Sequence, residues 1–127
     1  MEERSRTLEL LLRPDLPDLR RERQRERCEV PRLSRAAGEP VVFELQGLPY
    51  GRVQELQRLT EDVESHIVLE GCVSPDFRDP ALLERYHGAT PLDVIQAVLL
   101  PGEIADLCRT VEQLTGYRMS TIKKLKN

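Results

Sequence analysis

A chain of 127 residues, 39% hydrophobic and 32% charged with a net charge of -3, has the size of one domain and enough apolar content for one core. No apolar run approaches the ~20 residues a membrane span needs, and the opening Met1-Glu2-Glu3-Arg4-Ser5-Arg6 lacks a signal peptide's apolar stretch, so an intracellular protein is expected. Cys28, Cys72 and Cys108 are single and widely spaced, which argues against a disulfide framework, and the mild acidity argues against a globally basic nucleic-acid binder.

In chain order, Thr7 to Leu12 can form one or two helical turns through Leu8, Leu11 and Leu12 before Pro14 and Pro17 interrupt it. The run from Arg20 to Arg27 holds five arginines and two glutamates, with no apolar residue to dock on a core. Residues 1–28 are therefore expected to form a flexible charged arm, mobile or weakly helical, ahead of a single domain over 29–127. Two extended segments are expected next. Glu29 to Leu33 is confined to an edge by Pro31, and Val41 to Gln46 alternates, with Val41, Phe43 and Leu45 on one face.

A helical stripe runs through Val53, Leu56, Leu59 and Val63. The β-branched stretch His66 to Val73 fits strand or buried helix, and a helix ending at Gly71 is the reading taken. Three cap-plus-proline starts follow. Asp79-Pro80 opens one helix, Thr90-Pro91 with Asp93 a second, and Leu100-Pro101 with Glu103 a third. The last carries Ile104, Leu107, Cys108, Val111 and Leu114 on one stripe and stops at Gly116. A final turn over Ser120 to Lys126 is expected to point Ile122 and Leu125 inward.

The fold class that results is α+β, mainly α-helical: a small N-terminal β-hairpin followed by several short packed helices. Chemistry is sparse along it. His66, His87 and the three cysteines stand apart, without zinc-ligand spacing. Asp76, Asp79 and Glu84 lack a calcium loop's pattern, and no Gly-rich phosphate loop occurs. No catalytic, cofactor or metal residue is assigned, and a non-enzyme is expected. The corner Leu99-Leu100-Pro101-Gly102 stands out, because apolar residues meet a change of chain direction there and at least one of the two leucines should lie off the inward face, the alternative being that both bury against the hairpin. Leu99, Leu100, Pro101 and Ile104 are taken as candidate partner-binding residues.

Longer blocks carry a resemblance. Pro31-Arg32-Leu33-Ser34 with Gly38-Glu39 and Val42-Phe43 resembles a segment of XkdN-like phage tail assembly chaperones. So do Glu70 to Asp79, Leu82 to Tyr86, Leu99-Leu100-Pro101-Gly102-Glu103-Ile104 and Leu114-Thr115-Gly116-Tyr117 onward. The resemblance implies a non-enzymatic phage or prophage protein of the host cytoplasm, absent from the mature virion. It would bind the tape measure protein and keep it soluble during tail assembly. Tail tube protein and self-association are further partners it leaves open, with no membrane and no cofactor. The alternative reading is a small nucleic-acid-binding regulator using Arg20–Arg27.

Overall fold

The computed structural model describes residues 5–19 and 23–126. Ser5 opens α1 (Arg6–Leu11), its hydroxyl accepting the Leu8 N–H at 3.1 Å. The helix buries nothing: Leu8, Leu10, Leu11 and Leu12 are all exposed.

Strand β1 (Arg25–Glu29) follows. It takes in Arg25, Glu26, Arg27 and Cys28, which the sequence reading had placed in the arm; Arg20, Arg21 and Glu22 lie outside the described residues. Pairing here owes nothing to apolar alternation. The partner, β2 (Val42–Gln46), runs antiparallel in a register that sets Arg25 opposite Gln46 and Glu29 opposite Val42. Backbone hydrogen bonding to an apolar central strand suffices, and a charged edge discourages further pairing. Between the two strands lies α2 (Pro31–Ala37), where an extended segment was expected over Glu29 to Leu33. Pro31 has no N–H to donate, which suits an edge strand and the first position of a helix alike; the second is realised, with Gly38 (φ 79°) closing the helix in the left-handed conformation. Ser34 joins the two elements, its hydroxyl accepting the Val41 N–H at 2.9 Å.

The β2 alternation holds as read, with Phe43 and Leu45 fully buried and their neighbours half-buried. Past the strand, the Gly47 N–H donates to Gln24 O at 3.0 Å, and a Cβ at this glycine would sit 2.6 Å from the Leu114 carbonyl oxygen. The helical stripe through Val53 to Val63 divides into α3 (Arg52–Gln57) and α4 (Val63–Gly71), leaving Leu59 exposed between them. The helix reading over His66 to Gly71 is realised, and β3 (Cys72–Ser74) starts at the next residue. β3 pairs antiparallel with β2 across a bulge at Glu44/Leu45, giving a three-stranded sheet in the order β1-β2-β3 where a hairpin was expected.

The three capped starts form as the sequence dictates. They open α5 (Pro80–Arg85), α6 (Pro91–Val98) and α7 (Pro101–Thr115). The Asp79 carboxylate accepts from Ala81 N–H at 2.8 Å, and Thr90 with Asp93 makes a complete capping box. Among the described residues this gives seven helices and three strands, an α+β, mainly helical fold. The core lies where α4 and α7 pack together beside the sheet, with α6 and α3 against α4. Phe43 and Phe77 meet edge-to-face there, centroids 5.7 Å apart. Among the described residues 117–126 there is no regular structure, so the expected final turn is absent. Ile122 (73% exposed) and Leu125 (80%) lie in solvent rather than inward, because no neighbouring element offers them an apolar face. No helix among the described residues is long and apolar enough to cross a membrane.

Candidate functional site

The corner between α6 and α7 is built by Pro101. Its ring disfavours helical dihedrals at the residue before it, and Leu99 and Leu100 are both extended (ψ 146° and 155°). That break turns Leu99 inward, 4% exposed, and Leu100 outward, 52% exposed. Leu100 carries no acceptor to cap α7. Glu103 supplies the returning bond instead, its Oε1 accepting the Leu100 N–H at 2.7 Å.

The same carboxylate is held from across the chain. Arg32 Nε and Nη2 donate to Glu103 Oε2 and Oε1 at 3.0 and 2.8 Å, and Nη2 also donates to Val98 O at 2.6 Å. The fork thus ties the last turn of α6, the first turn of α7 and the start of α2 together. The Arg32 guanidinium holds the Glu103 carboxyl below the usual carboxylate range. A carboxyl depressed in the folded state stabilises above its unfolded pKa, about 4.3, and loses that contribution as pH falls through the folded value. Glu103→Ala is expected to cost about 1–2 kcal/mol. Glu103→Gln keeps an acceptor for Leu100 but not the charge, so its deficit relative to the parent should be constant above about pH 5 and shrink below about pH 4. Urea midpoints across pH 3–7 check this; a deficit unchanged at pH 3 would contradict it.

Beside the corner lies a cleft of about 460 Å³ lined by Asp62, Val63, Glu64, Ser65, Gln96, Leu99, Pro101 and Ile104. Leu99 and Ile104 (7% exposed) form its apolar floor, and Pro101 sits exposed at its edge. Gln96 links α6 to the start of α4, donating to Asp62 Oδ1 at 2.9 Å and to Ser65 Oγ at 3.4 Å. The exposed carboxylates of Asp62 and Glu64 form the rim, and none of the described lining residues is cationic. Of the four residues singled out from sequence, three therefore share one cleft, while Leu100 stands just outside its lining. Sequence reasoning missed Asp62, Glu64 and Gln96, which belong to other elements. It also missed Arg32, although the Pro-Arg-Leu-Ser block contained it.

Burial pushes the Cys72 and Cys108 thiols up to about 12, with Asp76 and Glu112 adding to it, the opposite of an activated nucleophile. Glu112, 4% exposed, accepts from Gln57 at 3.1 Å and from Arg118 at 2.8 Å, which pins the chain just past α7. In the arginine run, Arg25 pairs with Glu44 at 3.2 Å. Among the described residues no group of three His, Cys, Asp or Glu could hold a metal ion.

Comparison with known proteins gives a family and a fold. The model of the family described as phage XkdN-like tail assembly chaperone protein matches residues 8–126. The crystal structure of the protein yqbn is similar, with a TM-score of 0.56 and 28% identity over 74% of this chain and 87% of that one. No curated protein matches. The resemblance read from the Pro-Arg-Leu-Ser and Leu-Leu-Pro-Gly-Glu-Ile blocks is thus borne out, and those same blocks meet in the Arg32–Glu103 fork. The chain belongs to the phage XkdN-like tail assembly chaperone family.

Proposed function

We propose that the chain binds the tape measure protein of its phage or prophage and keeps that long helical polymer soluble in the host cytoplasm until the tail tube assembles around it, acting without catalysis and staying out of the virion. Family membership over residues 8–126 carries the reading. The α6–α7 corner supports it physically. A holdase needs apolar contacts small enough not to precipitate it, and here one exposed leucine, Leu100, stands beside a cleft floored by Leu99 and Ile104. Net charge of -3 helps keep a complex dispersed.

Co-expression with the tape measure protein of the same phage or prophage tests the proposal. The tape measure protein should move from pellet to supernatant when the chain is present. Leu100→Asp, a substitution at an exposed position that leaves the core untouched, should reduce the rescued fraction severalfold. Equal solubility with and without the chain would overturn the reading.

A further inference from the structure

In the order β1-β2-β3, one side of β1 has no strand beside it. The ladder to β2 uses the even positions of β1 and its flanks. The Gly47 N–H donates to Gln24 O at 3.0 Å and the Val30 N–H to Val41 O at 3.1 Å, at the two ends of one register. Antiparallel pairs alternate between bonded and unbonded residues, so the N–H and C=O groups of Arg25 and Arg27 point away from β2, to the open side.

Side chains sort by the same period. Glu26 and Cys28 stand opposite the buried Leu45 and Phe43, which puts Arg25 and Arg27 on the other face, both exposed. Arg25 pairs with Glu44, while Arg27 and the exposed Arg23 have no ion pair among the described residues. The edge therefore offers free backbone donors and acceptors at the same positions that carry arginine.

A second copy fits this edge badly. Pairing β1 with its twin about Glu26 sets Arg25 against Arg27 and Glu26 against itself, and pairing about Arg27 sets that arginine against itself. A nucleic-acid phosphate supplies acceptors only, and residues 23–29 hold no aromatic ring to stack a base. An extended peptide matches donor and acceptor alike. Its side chains directly opposite Arg25 and Arg27 lie on the arginine face, where carboxylates are favoured. The charges that repel a like edge thus attract a complementary one.

We propose that the open edge of β1 accepts an extended protein segment with carboxylates at alternate positions, which pairs antiparallel with Arg25 and Arg27 and lengthens the sheet by one strand. The contact takes extended chain rather than helix, so it is separate from tape measure binding, and either can fail alone.

Fluorescence anisotropy of a labelled peptide, acetyl-Thr-Glu-Val-Glu-Thr-Glu-Val-amide, titrated with the full chain tests it. Binding should saturate and weaken at least tenfold between about 0.05 and about 0.5 M salt. N-methylation of the glutamates should abolish it, because their N–H groups face Arg25 and Arg27, whereas N-methylation of the residues between them should not. Arg23→Gln with Arg27→Gln changes exposed positions without ion pairs and should cost at least tenfold in affinity. In the free chain the Arg25 and Arg27 amides should exchange hydrogen faster than those of Glu26 and Cys28, and the peptide should slow them. No binding, equal binding of a peptide of the same composition with its glutamates adjacent, indifference to N-methylation of the glutamates, or tighter binding of oligothymidylate would each overturn the proposal.

Discussion

Truncating Phe43 to alanine should remove about 3–5 kcal/mol of stability, a large share of the about 5–15 kcal/mol a domain of this kind has in total. Phe43 is 2% exposed in the central strand, and its ring meets the buried Phe77 edge-to-face at 65°. With aromatics at only 4% of the sequence and no tryptophan, little nearby can swing in to fill the space. The loss therefore combines the transfer term with a cavity that stays open. Phe43→Leu keeps most of the volume and should cost roughly half as much. Tyr50→Ala, at an exposed position, should stay within about 0.5 kcal/mol of the parent. Urea unfolding followed by far-ultraviolet circular dichroism measures all three, and a Phe43→Ala midpoint close to that of Tyr50→Ala would contradict the assignment of the core.

Gly71→Ala should destabilise although alanine is the better helix former. Gly71 ends α4, and a Cβ there would lie 2.5 and 2.6 Å from the two methyl groups of Val111 on α7. Intrinsic propensity would favour alanine by up to about 1 kcal/mol. The close contact with Val111 opposes it, and overpacking of this kind costs about 1–3 kcal/mol, so the net sign is a loss. Val111→Ala alone should cost about 2 kcal/mol, since Val111 is fully buried. The pair is the discriminating measurement. The new methyl at residue 71 occupies space vacated at residue 111, so the double variant should be more stable than the sum of the single losses by about 1–2 kcal/mol. Additive losses would mean that α4 and α7 do not touch at this point.

Features that a few neighbouring residues determine were legible in the sequence. Asp79-Pro80, Thr90-Pro91-Asp93 and Pro101-Glu103 start helices because capping needs an acceptor within three residues of free N–H groups, and a proline has none to lose. The alternation in β2 and the stop at Gly116 are equally local. The break between Leu99 and Leu100 was visible for the same reason, and it correctly sends one leucine inward and one out.

Tertiary structure decided the rest. Arg25 to Glu29 has no apolar period, so nothing in it announces a strand; it becomes one because β2 presents unpaired backbone groups that must be satisfied. Pro31 read as the mark of an edge strand; its missing N–H suits the first position of a helix as well, and that use was realised once α2 had somewhere to pack. Arg32 and Glu103 are 71 positions apart, and the cleft draws on α4, α6 and α7 together. The amino-acid order by itself determined where α5, α6 and α7 begin and which blocks mark the family, because caps and turns act over a few residues. Which charges pair, which strand joins the sheet and where a cleft opens depended on segments far apart in the chain, since those contacts exist only once the core has brought them together.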